Sequence, residues 1–282
     1  MNFGGIEKEF SDFKKAFFVV LPVPYDLTST YQSGSRRGPS AILEASCNME
    51  LYDEALRKET YRAGIHTLPP LEPDARGPRE MIKKVEGSAA GIVRYNKIPV
   101  MLGGEHSIST GSVRALKKKY PRLSVLHLDA HADMRDRYQG SLYSHACVAR
   151  RLREICPVVQ VGTRSMSREE ALFIEKKGVM VFSPDDVQGT MGWEKKICEN
   201  LTEDVYISVD LDVFDSSLMP ATGTPEPGGL YWRDVTSLLS EVAGTSRIRG
   251  FDVVELSPIP GMVAPEFLAA KLTYRLMGHA LK

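Results

Sequence analysis

Apolar residues gather in eight short runs along the chain, at residues 16–21, 61–66, 98–102, 124–128, 158–161, 179–182, 205–209 and 250–254. Most show no strict alternation with polar residues, which predicts strands buried on both faces. Between them the apolar spacing shifts to the helical period. Residues 39–59, 78–95, 108–119, 144–154, 167–177, 232–243 and 265–280 read as helices. The first is the clearest, with Pro39 suited to the opening turn and Ile42, Leu43, Met49 and Leu56 free to pack. Buried strands alternating with helices predict a three-layer αβα fold, an eight-stranded parallel sheet covered on both faces. No linker or internal repeat divides residues 1–282, so a single domain is expected. Two long irregular segments, 22–38 and 214–229, each follow a strand and are expected to overhang its C-terminal end.

Charge narrows the partners. The chain carries 36 basic and 36 acidic residues and a pI near 7.0, which argues against nucleic acid or an anionic membrane. The basic run Lys117, Lys118 and Lys119 reads as a solvated helix C-terminus. Cys47, Cys147, Cys156 and Cys198 are scattered and read as reduced thiols. No apolar stretch approaches the roughly 20 residues that span a bilayer, and residues 1–15 are too polar for a signal peptide. A soluble, cytoplasmic protein is expected.

The chemistry concentrates just beyond four of the apolar runs. Gly103-Gly104-Glu105-His106, Asp129 to Asp133, Asp210-Leu211-Asp212 and Asp252 to Glu255 all fall where an open parallel sheet forms its ligand sites. Asp129, His131 and Asp133 share one parity and, if extended, project to one side; Asp210 and Asp212 repeat that spacing. His106 follows two glycines, which allow a tight turn and close backbone approach. His106, Asp129, His131, Asp133, Asp210 and Asp212 together describe a site for two divalent metals. Carboxylates outnumber imidazoles and no thiolate is present, which suits Mn2+ better than structural Zn2+. Two such ions about 3.5–4 Å apart activate a shared water as hydroxide near neutral pH. His127 lies inside a strand and is expected to be buried with its hydrogen bonds satisfied.

These motifs, with residues 31–40, 207–213, 220–229 and 252–258, occur in an order that resembles the ureohydrolases, the arginase–agmatinase superfamily. The resemblance covers nearly the whole chain and looks most like its agmatinase branch. It implies an arginase-like fold and two Mn2+ per subunit. One ion would take His106, Asp129, Asp133 and Asp210; the other would take His131, Asp129, Asp210 and Asp212. Asp133 would handle the proton of the metal-bridging hydroxide, Glu255 would hold the substrate guanidinium, and His145 would act as proton shuttle at the entrance. Cys147, two residues from His145, is set aside as a nucleophile because a complete metal site lies nearby.

The implied reaction is hydrolysis of agmatine to putrescine and urea. Arginase-type tail recognition is not matched by residues 134–143, nor by Ser165 and Ser167 in the later segment. A terminal ammonium on a four-carbon tether wants acidic or π-electron partners, for which Tyr138, Tyr143, Asp136, Glu226 and the 22–38 segment are candidates. Aminopropylagmatine, guanidinobutyrate (with Arg135 or Arg137 as the tail cation), arginine and formiminoglutamate remain alternatives. A non-catalytic ureohydrolase-like subunit is the reading from another class. The resemblance also implies a homo-trimer or hexamer.

Overall fold

Eight strands form the centre of the molecule: β1 (Phe18–Val23), β2 (Ile65–Thr67), β3 (Ile98–Gly103), β4 (Leu123–Leu128), β5 (Val158–Val161), β6 (Met180–Phe182), β7 (Asp204–Asp210) and β8 (Arg247–Val254). The computed structural model describes residues 1–281. All neighbouring strands pair in parallel, in the order β2-β1-β3-β8-β7-β4-β5-β6. The helices are α1 (Lys8–Ser11), α2 (Gly38–Ser46), α3 (Pro78–Arg94), α4 (Ser109–Lys119), α5 (Val148–Arg153), α6 (Arg168–Lys177), α7 (Pro184–Gly189), α8 (Trp193–Cys198), α9 (Trp232–Thr245) and α10 (Ala264–Ala280).

Strand periodicity sorts the core into two layers. On one face Val20, Leu102, Leu126 and Ile207 pack with Leu238, Leu239 and Val242 of α9 and Leu272 and Leu276 of α10. On the other, Val19, Leu21 and Met101 meet Met81, Val85 and Ile92 of α3. Beside them Val125 and Tyr206 meet Val113 and Leu116 of α4 and Val148 and Leu152 of α5. The expected three-layer arrangement with an eight-stranded parallel sheet is therefore present. Among the described residues, no helix is long and apolar enough to cross a membrane.

Four local expectations are corrected. The helix expected over 39–59 ends at Ser46. There the Asn48 amide donates to the Glu44 carbonyl, and the chain enters turns organised by Asp53, whose Oδ1 accepts the Ala55 and Leu56 N–H groups. The strand expected over 61–66 shrinks to Ile65–Thr67, because Thr60–Ala63 form a 3-10 turn closed by Gly64 at φ +84°. β8 begins three residues before the apolar run, with Arg249 paired to Asp204 at 2.6 Å. Helices α1, α7 and α8 were not expected. The signal for α7 was present: Pro184 opens it, and Ser183 and Asp186 form a capping box.

Asp53 also ties the turn to the C-terminal helix. Its carboxylate receives Arg275 Nε at 2.9 Å and Nη2 at 3.1 Å, with both side chains buried. Burial alone pushes the Asp53 carboxyl up, but the Leu56 N–H and Arg275 hold it below its usual value. Asp53→Ala leaves Arg275 buried without its main partner and is expected to lower unfolding free energy by about 3–5 kcal/mol. Chemical denaturation should show Glu54→Ala, which removes an exposed partner, costing about 1 kcal/mol or less; equal losses would refute the buried-pair account.

Candidate metal centre

The four strands β3, β8, β7 and β4 are consecutive in the sheet, and the candidate residues leave their C-terminal ends side by side. His106 follows β3, Glu255 follows β8, Asp210 ends β7 with Asp212 just beyond, and Asp129 follows β4. The turn after β3 shows why the second glycine matters: a Cβ on Gly104 would sit 2.1 Å from the Tyr25 carbonyl oxygen. Close approach rather than unusual φ demands glycine there, and it lets the Glu105 N–H donate to Tyr25 O at 2.7 Å. Asp133 and Glu255 are among the non-glycine residues with positive φ, at +50° and +65°. The chain after β4 therefore does not stay extended through Asp133, yet that carboxylate still lines the cavity. Such conformations in ordinary residues persist where the surroundings enforce them, commonly at functional sites.

Two clusters of ligand atoms result. Those of His106, His127, Asp129 and Asp133 lie within 4.8 Å of one another, and so do those of Asp129, His131 and Asp212. Asp129 belongs to both. Asp210 Oδ2 lies 3.2 Å from His106 Nδ1, and His131 Nδ1 lies 2.9 Å from Asp212 Oδ2. All six residues expected as ligands thus come together.

The donor chemistry fits divalent cations. Ser208 Oγ donates to Asp252 Oδ1 at 2.7 Å, so at 2.8 Å it accepts from His106 Nε2–H and leaves Nδ1 with a free lone pair. His106 Nδ1 and Asp129 Oδ2, buried and 3.0 Å apart, have no hydrogen-bond partner. Burial, reinforced by neighbouring carboxylates, raises Asp133 and Asp210 well above the usual carboxylate range and raises Asp212 as well. Burial also pushes Asp129 up, but the imidazoles beside it win and hold it low. Burial works against the His131 imidazolium, yet Asp212 and Asp129 push that ring up to about 12. Each carboxylate ionisation opposes the next, so positive charge at the centre is what lets the set ionise together.

His127 corrects an expectation. It is fully buried, but neither ring nitrogen has a hydrogen-bond partner. Its ring stacks on His106 with centroids 4.7 Å apart, and Nε2 faces Asp129 Oδ2 at 3.6 Å. Burial and the neighbouring His106 push it down to about 3, so it stays neutral. Glu105, Thr28, Ser208 and Asp252 also support the site without having been singled out individually. The readable signal for Glu105 was its place in the Gly103-Gly104-Glu105-His106 turn, next to a candidate ligand; the structure buries it completely.

A cavity of about 250 Å³ opens over the clusters. Segment 22–38 contributes Ser29 to Gln32, and segment 214–229 contributes Gly223 and Thr224, so both overhang the site as expected. Glu255, His145 and Tyr138 line the cavity. Glu255 Oε1 accepts the His106 N–H at 2.7 Å. Burial pushes the His145 imidazole down to about 4, so it is neutral at pH 7. Tyr143 is corrected: its ring lies 5.9 Å from the Arg114 guanidinium and is not part of the cavity wall. Asp136 is committed to Arg151 at 3.1 Å. Glu226 does not line the cavity but stands beside it, 3.6 Å from His131 Nε2. Burial raises the Cys147 thiol to about 11, which keeps it protonated and inert.

Residues 16–278 match the model of a protein family described as the Arginase family. The chain is 38% identical to an N(1)-aminopropylagmatine ureohydrolase of Synechocystis, covering 95% of this chain and 90% of that one. It is 36% identical to an agmatinase of Pyrococcus horikoshii, covering 96% and 94%. The crystal structure of an agmatine ureohydrolase of Thermoplasma volcanium superposes with a TM-score of 0.87 at 36% identity, over 96% and 92% of the two chains. Sheet order, ligand clusters and near-complete coverage agree, and the chain belongs to the Arginase family.

Proposed function

We propose that this chain is a manganese-dependent ureohydrolase that cleaves the guanidinium group of an amine-tailed substrate, with agmatine giving putrescine and urea. The observation that carries the reading is the meeting of two His/Asp clusters and Glu255 at one cavity. The names of the Synechocystis and Pyrococcus relatives support the guanidine class. His106, Asp129, Asp133 and Asp210 would hold one ion, and His131, Asp129, Asp210 and Asp212 the other. The oxygen-rich, thiolate-free donor set favours Mn2+. Bound there, two dications supply a water acidic enough to act as nucleophile near neutral pH.

The protein's own groups supply the rest. Glu255, aimed by its left-handed backbone, grips the planar guanidinium and orients its carbon. Asp133 takes a proton at its carboxylate and returns it to the departing amine, which must leave protonated. His145, neutral at pH 7, carries protons between the cavity and solvent. The Tyr138 ring and Met166 line the path for the methylenes and the tail ammonium. N(1)-aminopropylagmatine is the second reading, favoured by the Synechocystis relative's name and by the open mouth, where Tyr31 is 77% exposed. For a carboxylate tail the available cation is Arg135, which lines the cavity over the Tyr138 ring and 3.7 Å from Glu170, whereas Arg137 donates to the Gly140 carbonyl and does not line it.

Urea release from the manganese-reconstituted protein should favour agmatine or aminopropylagmatine over arginine and 4-guanidinobutyrate by at least about tenfold in kcat/KM. Arginine leading by that margin refutes the amine-tail reading. His145→Ala is expected to lower kcat by roughly 100-fold with both metals retained; loss of metal from that variant, read by elemental analysis, contradicts its role. Glu255→Gln should chiefly depress kcat/KM, by about 10–100-fold. Chelation should abolish urea release and lower the melting temperature, and Mn2+ should restore both.

A further inference from the structure

The fully buried Glu105 is not among the residues assigned to either ion, and its contacts lead away from them. Its Oε2 accepts the Thr28 backbone N–H, and its Oε1 accepts the Thr28 hydroxyl at 2.7 Å and the Ser107 hydroxyl at 2.5 Å. Thr28 in turn faces His145. Its Oγ1 accepts the His145 backbone N–H at 3.0 Å and lies 3.3 Å from His145 Nδ1. Ser144 Oγ is also near Nδ1, at 3.4 Å, and Nε2 lies 3.5 Å from Thr30 Oγ1, at the cavity wall.

The single hydroxyl proton of Thr28 decides the direction of this chain. Three donors, the Thr28 N–H and the Thr28 and Ser107 hydroxyls, converge on the two Glu105 oxygens, and with its proton directed there Thr28 Oγ1 has only lone pairs left for the histidine. One of them takes the His145 backbone N–H, and a proton on Nδ1 at 3.3 Å fills the other, which leaves Nε2 bare. We propose that Glu105, acting through the Thr28 hydroxyl, is a positioning residue that fixes His145 in its Nδ1–H tautomer and presents Nε2 as the proton-accepting atom at the cavity. This rests on the proton-carrying role proposed for His145. A glutamine at position 105 does not substitute, because donors press on both carboxyl oxygens and an amide accepts on only one.

The test separates tautomer from turnover. Histidine ring 15N spectra of the full-length chain, with His145 assigned through His145→Gln, should show the Nδ1–H pattern. Thr28→Val should move that signal toward the Nε2–H form or an exchanging mixture, and Thr28→Ser should restore it. In the manganese-loaded enzyme, Thr28→Val should lower kcat by roughly 10–100-fold with KM changed by less than about twofold and metal content intact. Thr28→Ser should recover most of that loss. Glu105→Gln reads the same spectral change if Thr28→Val fails to fold. An Nδ1–H pattern that survives Thr28→Val or Glu105→Gln overturns the inference, whatever happens to kcat. If His145→Ala turns over like the parent, the proton-carrying role fails, while the spectra still decide the tautomer.

Discussion

Burying several carboxylates within a few ångströms of one another is the constraint on which the rest of this structure depends. Asp129, Asp133, Asp210 and Asp212 are each nearly or wholly removed from water. Like charges so placed are tolerable only beside cationic partners, and the sheet is ordered to gather those partners. β8 and β7 lie between β3 and β4, although they are the last two strands made. That order brings His106 and Asp129 together from strands that are consecutive in sequence but three positions apart in the sheet. An insertion late in the chain therefore completes a site begun early.

Much of this was legible because a parallel sheet writes itself plainly. Fully buried strands need apolar residues on both faces, so the runs at β3, β4, β5 and β7 stand out without ambiguity. The polar residues that interrupt such runs at their ends are costly there, which made His106, Asp129 and Asp210 visible as candidates. The legible features share one property: their signal is local.

What escaped was decided by partners distant in sequence. The end of α2 depends on a turn held by Asp53, whose role appears only once Arg275 of α10 arrives beside it. Tyr143 has the chemistry of a cavity residue, but its ring lies beside the Arg114 guanidinium, outside the cavity wall. His127 looked like any buried strand histidine; its unpartnered nitrogens follow from stacking on a ring 21 positions earlier in the chain. α7, by contrast, carried its own capping box and could have been read.

The packing of Gly104 against Tyr25 has a wider consequence. The turn that aims His106 and the segment that carries Thr28 touch backbone to backbone, with the Glu105 N–H bonded across the contact. Hydrolytic centre and entrance loop thus behave as one mechanical part. Lengthening or shortening the chain between Tyr25 and Thr28 would be felt at the ligand turn, and the far end of the loop is tied back as well, because Gly34 N–H donates to Asp26 Oδ2 and Arg36 pairs with the same carboxylate. Both ends of the loop are thus pinned, and room to alter the entrance without disturbing the ligand turn is confined to its tip, where the Tyr31 side chain stands in solvent.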